Sequence, residues 1–353
     1  MITARNRVLH VCHLDKFIPP FIDFVEEHFD DFATRHLFFI NGDAERYPFK
    51  ARSNIVQAGR GKKNQLLHLA ALAKACQEAN KIILHGLFSP YVVMLLAAMP
   101  WLLSKCYWVM WGGDLYKYKL ADRNWKWQVH EFFRRPVIKN MGHLVTYIKG
   151  DYELARQWYG AKGQYQECFM YTSNLYKELD VSNIQREKKI NLLVGNSADP
   201  SNNHVEVFEN LEAFKNKNIK IFVPLTYGNQ AYAQQIIEEG SRRFGTKFAA
   251  LTGHLPLNEY LEFLGIIDIA IFNHKRQQAM GNMITLLGLG KKVYMRSDVT
   301  QWEFFKSHGI TVYDIDQITI NGEIDDSLEK NIDKVKKVFT KQVFLDQLSE
   351  LFT

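Results

Sequence analysis

Two polar clusters in the C-terminal half have the composition and spacing of an anion-binding surface. The first, Ile190 to His204 (INLLVGNSADPSNNH), is a short apolar run that stops at Gly195. It passes through Asn196, Ser197, Asp199, Asn202 and His204 into the helical periodicity Val205, Phe208, Leu211, Phe214. Glycine lets backbone approach a ligand closely, and the unpaired N–H groups of a helix start attract anions. The second cluster follows the strand-like IAIF and runs Asn273 to Asn282 (NHKRQQAMGN), with Lys275, Arg276, Gln277 and Gln278 ahead of Gly281 and Asn282. Gly281 and Asn282 open the apolar helical pattern MITLLGLG. A cation pair beside a glycine-led helix start is a cradle for a diphosphate. Tyr227, after the run IFVPL, is placed to stack on a base. Each feature also has a plainer reading: a capped helix after a strand, a basic surface loop, a packing tyrosine.

In the N-terminal half, polar groups again follow strand-like runs. His13, Asp15 and Lys16 come after RVLHVC, and His85-Gly86 closes KIILH. Trp111, Gly113, Asp114 and Tyr116 lie in WGGDLY after YWVM, and Lys149-Gly150-Asp151 follows HLVTYI. Asp114, behind two glycines, could approach a ligand and act as a general base, with helix capping as its alternative role. Neither GxxxxGK[ST] nor GxGxxG occurs. The segment Gly59 to Lys63 lacks the hydroxyl residue of a P-loop, because Asn64 stands in its place. Asp314 and Asp316 form an acidic pair late in the chain, expected as a solvated strand end. No obligatory metal and no cofactor are expected.

The elements that must position these groups alternate. Residues 7–12, 36–40, 81–85, 107–111 and 143–148 read as strands, with helical patterns between them such as 20–28 and 65–79. The second half repeats the theme with strands over 191–194, 219–224, 267–272, 292–295 and 311–313, and helices over 258–264, 283–289 and 299–307. Such alternation implies parallel, doubly wound sheets. At 353 residues, two domains are the default. Residues 174–189 form the best linker, which divides the chain into 1–178, 179–330 and a closing helical segment 331–353. Two Rossmann-like domains facing a cleft, closed by a terminal helix, describe the GT-B class of α/β proteins; ligands there sit at the carboxyl ends of the strands.

Charge is lopsided. Residues 1–185 carry 24 Lys and Arg against 17 Asp and Glu, whereas residues 186–353 carry 20 against 21. The basic excess lies mostly between Lys105 and Lys149, where cations alternate with aromatics (Lys117, Tyr118, Arg123, Trp125, Trp127, Phe132). This composition docks at anionic membrane surfaces; without a nucleic-acid-binding module, no nucleic-acid partner is expected. The uncharged run Leu87 to Ser104 is bracketed by Ser89-Pro90 and Met99-Pro100 and is expected as a buried core helix, with an interfacial helix second. Four dispersed cysteines and an N-terminus without a cleavable signal pattern fit a cytoplasmic protein.

LLVGNSADPSNNH, VPLTYGN, RQQAMGN and WGGDLY together resemble the bacterial TDP-4-acetamido-4,6-dideoxy-D-galactose:lipid II transferases of glycosyltransferase family 56. The likeness runs through nearly the whole chain and includes Gly61-Lys62-Lys63 and Gly150-Asp151. It departs from the family at Gly113 (alanine expected), Pro200 (a basic residue) and Asn282 (a small hydroxyl residue), which leaves the sugar and the acceptor glycan open.

The resemblance implies a peripheral enzyme on the cytoplasmic face of the inner membrane. It would move a deoxyamino sugar from TDP to an undecaprenyl-diphosphate-linked oligosaccharide, as in enterobacterial common antigen assembly. On this reading Lys275, Arg276 and the helix start at Gly281 stabilise departing TDP, while Gly195 to Ser197 line its diphosphate and Asn202 to His204 shape the loop. Lys62 and Lys63 meet the acceptor diphosphate, and His13, Asp15, Lys16, His85, Trp111, Gly113 and Tyr116 face the acceptor. A sugar-nucleotide epimerase and a non-catalytic binding partner in an assembly complex are the alternatives.

Overall fold

Two parallel sheets organise the chain, each inside its own contact unit; the computed structural model describes residues 6–179, 188–320 and 326–353. Unit 1 comprises Met1–Ser173 and Lys341–Thr353. Its chain runs β1 (Val8–His13), α1 (Ile18–His28), α2 (Phe32–Arg35), β2 (His36–Asn41), β3 (Ile55–Gln57) and α3 (Lys62–Glu78). It continues through β4 (Lys81–His85), α4 (Pro90–Ala98), β5 (Cys106–Val109), α5 (Gly112–Leu115), α6 (Lys117–Leu120) and α7 (Trp125–Asn140). β6 (His143–Val145), α8 (Lys149–Tyr159) and β7 (Gln164–Gln166) complete the sheet, whose order is β3-β2-β1-β4-β5-β6-β7. The central strands are continuous apolar runs because both faces are covered, and Leu9, Ile82, Ile83 and Trp108 have no exposure. α3, α4, α7 and α8 all link strands that advance in one direction across the sheet, so right-handed crossover puts them on one face.

Unit 2, Asn174–Thr340, holds β8 (Ile190–Val194), α9 (His204–Glu212), β9 (Ile219–Pro224), α10 (Gln230–Phe244), β10 (Phe248–Leu251) and α11 (Leu257–Gly265). β11 (Ile269–Phe272), α12 (Met280–Gly288), β12 (Lys292–Met295), α13 (Thr300–Ser307) and β13 (Tyr313–Asp314) follow, in the sheet order β10-β9-β8-β11-β12-β13. The strand order reverses between β1 and β4 in unit 1 and between β8 and β11 in unit 2. Open α/β sheets bind ligands at such switch points, beyond the carboxyl ends of the strands.

Three strands escape the sequence pattern: β3, β7 and β10. All are sheet edges of three or four residues, only part-buried, so their apolar runs are too short to register. The run Leu87 to Ser104 departs from the core helix expected of it. α4 buries only Val93 and Leu96 and exposes Tyr91 and Met94, with Trp101 exposed just beyond it. The helix covers the sheet with one face, and among the described residues no further layer of this unit covers Tyr91 and Met94 on the other.

The segment 331–353 spans parts of two helices, which join different units. Its first part belongs to α14 (Asp326–Val338), which packs on α12 in unit 2, buries Leu328 and Val335, and ties Asn331 to the Thr311 backbone. Its second part, α15 (Lys341–Phe352), joins unit 1: Phe344 packs against Phe24, Phe352 against His36, and Lys81 donates to the Leu351 carbonyl at 2.9 Å. All four cysteines are free and buried.

Candidate functional site

At the unit 2 switch point, most of the polar turn after β8 is spent on holding itself together. Gly195 is left-handed (φ 67°), and a Cβ there would lie 2.5 Å from His204 Nε2 and 2.7 Å from Asn202 Oδ1, so only glycine fits. Asn202 Oδ1 accepts from the Asn196 amide (2.9 Å) and from His274 Nε2 (2.8 Å), which fixes His274 as the Nε2–H tautomer. Asn202 Nδ2 donates to the Asp199 carbonyl at 2.9 Å. His204 has no exposure and meets the Tyr232 hydroxyl through Nδ1 at 3.1 Å. Asn202 and His204, which the polar pattern grouped with the donor-binding residues and the resemblance gave a loop-shaping part, lie beneath the turn with their hydrogen bonds spent on it.

Gln278 ties the two clusters together. Its Nε2 donates to Asn196 Oδ1 (2.8 Å) and Ser197 Oγ (3.3 Å), and its Oε1 accepts from Ser201 Oγ (3.0 Å). Asn196 Nδ2 in turn donates to the Tyr227 hydroxyl at 3.2 Å. Asn196 and Ser197 are buried, so the turn is chiefly a frame.

What that frame presents is the β11–α12 loop. Lys275 is exposed, and Arg276 Nη2 is anchored at 2.9 Å by Asp199 Oδ2. Burial opposes ionisation of Asp199, but the Ser201 hydroxyl, Arg276 and the Ser201 amide hold its carboxyl below the ordinary value. α12 begins one residue before Gly281 and no side chain caps it. Its N-cap is Ala279 at φ 61°, a left-handed conformation uncommon outside glycine. Asn282 Nδ2 donates to Tyr260 Oη at 2.8 Å, a partner on α11 that no sequence signal marked. Gln277 and Gly281 are part-buried on the same loop. Two cations ahead of an uncapped helix start form an anion-binding surface.

In unit 1 the expected general base is a structural group. Asp114 has no exposure, and four donors fill its carboxylate: Trp111 N and Leu115 N on Oδ1 (2.8 Å each), Leu87 N (2.8 Å) and Trp108 Nε1 (2.7 Å) on Oδ2. A carboxylate offers about four lone-pair sites, so none remains for a substrate proton. Burial pushes its carboxyl up, against the pull of buried Arg134 and of the donors. Arg134 donates to the Asp114 carbonyl (2.6 Å) and to Glu131 (3.2 Å), which closes a buried polar network.

His85 is also turned inward. His36 Nδ1, His10 Nε2 (2.9 Å), His10 Nδ1, His85 Nε2 (3.0 Å), His85 Nδ1 and Tyr171 Oη (2.9 Å) form one chain through the core; Trp111 Nε1 meets the same Tyr171 hydroxyl at 3.1 Å. Tyr116 is buried, with its hydroxyl 3.4 Å from Asp151 Oδ1. His85 and Tyr116 therefore do not face an acceptor. Trp111 does reach the strand-end surface, packed edge-on against Phe17 and Phe88, and Gly113 is part-buried in the first turn of α5. His13 and Lys16 are exposed and Asp15 is part-buried, with Asp15 Oδ1 accepting from the Phe17 amide at 3.3 Å. Lys62 and Lys63 are exposed in the first turn of α3, which starts three residues before the expected 65. The sequence-derived sets thus fall on two units, with the donor set in unit 2 and the acceptor set in unit 1.

The buried imidazoles make stability pH-dependent. Burial lowers His36 and His204 to about 4 and His85 and His274 to about 3. The unfolded chain, with histidines near ~6.5, binds more protons in the window below that value, so stability is full above it and falls as pH drops towards 4. For His204 alone the loss by pH 5 is about 2 kcal/mol. Urea unfolding at pH 7.5 and pH 5 measures it, and His204→Gln should shrink the difference by that amount. An unchanged difference would show that His204 does not titrate as its burial requires.

A family model described as 4-alpha-L-fucosyltransferase glycosyl transferase group 56 matches residues 20–352. Among solved structures, Anabaena HepE in complex with UDP-glucose is similar at a TM-score of 0.69 and 12% identity, covering 98% of each chain. A glycosyltransferase from Rickettsia africae ESF-5 is similar at 0.66 and 12% identity, covering 98% of this chain and 97% of that one. WaaG, a glycosyltransferase involved in lipopolysaccharide biosynthesis, is similar at 0.60 and 10% identity, covering 98% of each chain. The shared fold is GT-B, as the two Rossmann-like units imply.

Proposed function

We propose, because the chain belongs to the family of 4-alpha-L-fucosyltransferases of glycosyl transferase group 56, that it moves a deoxyamino sugar of the 4-acetamido-4,6-dideoxygalactose type from TDP to an undecaprenyl-diphosphate-linked oligosaccharide. The chain is a glycosyltransferase, and these substrates give that class its specific form. The carrying observation is the pair Lys275 and Arg276 ahead of uncapped α12, framed by the Gln278 hydrogen bonds. Transfer breaks the bond from the anomeric carbon to the diphosphate oxygen, which leaves with the electron pair. Fixed cations and helix N–H groups aimed at that developing charge stabilise the transition state. HepE, a protein of the same fold solved with UDP-glucose, supports a nucleotide-sugar donor.

The acceptor hydroxyl must lose a proton. With Asp114 filled by four donors, Asp15 and His13, which are not fully buried at the carboxyl end of β1, are the groups an inverting transfer would use. A panel of TDP- and UDP-sugars assayed with a synthetic lipid-linked acceptor tests the reading. Transfer from a TDP-deoxyamino sugar supports it. Conversion of the donor without acceptor would instead mark an epimerase, and binding without turnover a non-catalytic partner.

The site of lipid contact is the outer surface of unit 1. Nine of the eleven large exposed hydrophobics of the described residues lie there, on or beside α3, α4, α6 and α7. Trp125, Val129 and Phe132 form a stripe at helical spacing on α7, with Trp125 69% and Phe132 74% exposed among exposed Lys126, Arg135 and Lys139. Among the described residues no helix is long and apolar enough to cross a membrane, so the proposed association is peripheral. Pelleting with anionic liposomes should be strong at low salt and fall about tenfold or more in a Trp125→Ala, Phe132→Ala double variant. Equal pelleting of variant and wild type, or no response to salt, would overturn this surface.

A further inference from the structure

Unit 1 contains a cavity of about 270 Å³ walled by Val11, Phe39, Leu69, Leu72, Phe88 and Val92. It reaches the β1–β4 switch point at His13, Asn41 and Gly86. Its outer rim includes Leu66 on α3 and Tyr91 on α4, which are 67% and 61% exposed and belong to the apolar surface assigned above to lipid. Gly86 is left-handed (φ 85°), and a Cβ there would lie 2.3 Å from the Phe88 ring. Glycine is therefore what lets that ring close over the strand end and form the wall. Lys62 lines the cavity with Lys63 beside it, and neither forms an ion pair among the described residues.

We propose that this cavity takes the first isoprene units of an isoprenoid diphosphate, entering from the membrane side with the diphosphate at Lys62 and Lys63. The proposal rests on the lipid-linked acceptor of the preceding reading and gives its chain a place. The lining is mostly apolar, with His13, Asn41, Gln65, His68 and Ser89 as its uncharged polar minority, so an isoprenoid chain matches more of the wall than a sugar or a nucleotide base, whose polar groups would be buried largely against apolar ones. A dry apolar cavity of ~150 Å³ already takes up benzene, so this one has room for more than a single isoprene unit. The two lysines supply the charge complement of a diphosphate, which a neutral or zwitterionic lipid lacks. The cavity thus joins the exposed apolar rim to the strand ends where the acceptor set lies, which puts the sugar-bearing end of the lipid at that set and leaves its tail in the bilayer.

The test uses the full chain and three probes: geranylgeranyl diphosphate, geranylgeraniol and inorganic pyrophosphate. The diphosphate lipid should bind by calorimetry, with the alcohol weaker and pyrophosphate weakest. Val92→Trp fills the cavity and Leu66→Glu charges its exposed rim, the second serving if the first misfolds. Each should weaken geranylgeranyl diphosphate at least tenfold, with circular dichroism unchanged. Lys62→Glu should weaken the diphosphate lipid but not the alcohol. With two acceptors that share a glycan diphosphate, the wild type should prefer a four-isoprene chain to a short alkyl chain in kcat/KM, and Val92→Trp should erase that preference. Wild-type lipid binding in both apolar variants overturns the proposal, as does a cavity variant that alters only self-association. Failure of the wild type to use any lipid-linked acceptor, with geranylgeranyl diphosphate binding and its loss in the variants intact, would instead overturn the acceptor reading and leave the cavity assignment standing.

Discussion

Arg276→Ala should lower kcat/KM for sugar transfer by about 10²–10³-fold, the loss expected when one preorganised donor to a developing oxyanion is removed. The side chain is 18% exposed and held by Asp199 at 2.9 Å, so its charge is set in place before substrate arrives. Preorganisation is why the effect is large: a solvated, mobile cation would reorganise as charge develops and contribute far less. The loss belongs chiefly in kcat if the guanidinium acts on the leaving diphosphate and chiefly in KM if it only holds the donor. Arg276→Lys keeps charge without the fork geometry and should fall between wild type and Ala. Transfer by Arg276→Ala within twofold of wild type would remove Arg276 from the donor site. The urea midpoint should stay near the wild-type value, because a part-exposed ion pair contributes little to stability.

Asp114→Ala has the opposite signature. It leaves four donors at Leu87, Trp108, Trp111 and Leu115 without an acceptor and takes a carboxylate from beside buried Arg134. Removing one partner of a buried charged network costs on the order of 3–5 kcal/mol. This is comparable to much of the stability of an ordinary domain. The expected outcome is loss of soluble, cooperatively unfolding protein. Asp114→Asn, which keeps one oxygen but turns N–H groups on two of the donors, should lower the urea midpoint in the same direction. If Asp114 were the base, Asp114→Asn would instead keep the wild-type midpoint and lose kcat by the ~10²–10⁴ of general base catalysis. That result would reverse the assignment made from its hydrogen bonds.

The misplacement of Asp114 shows where a sequence loses resolution. Two glycines and a carboxylate after a strand are the same letters whether the carboxylate points out to a ligand or back to its own helix start. The choice is made by Trp108, two strand positions upstream of Met110, and by Leu87 on a different strand's exit loop, neither marked by local pattern. The His10–His36–His85 chain was equally hidden: its members lie on three strands and meet only because β1 stands between β2 and β4. The turn after β8 is a milder case. Its residues do sit at the switch point, with Asn202 and His204 as its floor, and His274, inside the second cluster yet not singled out, is the partner of Asn202.

Periodicity and punctuation determined much on their own: the alternation of strand and helix, two parallel sheets, and the polar exits at Gly195, Asn273, His13 and Trp111. These are local properties, because an apolar run bounded by glycine must bury its faces wherever it lies. Tertiary structure alone decided which polar residues are spent on the frame and which are presented. It turned Asn202, His204, His85 and Asp114 inward and left Lys275, Arg276 and the α12 start facing outward. It also divided the C-terminal helices between the two units and laid Leu66, Tyr91, Trp125 and Phe132 on one unit's outer surface. The physical reason is that hydrogen bonds and burial are settled between segments far apart in sequence, and a buried polar group takes whatever partner the packing supplies.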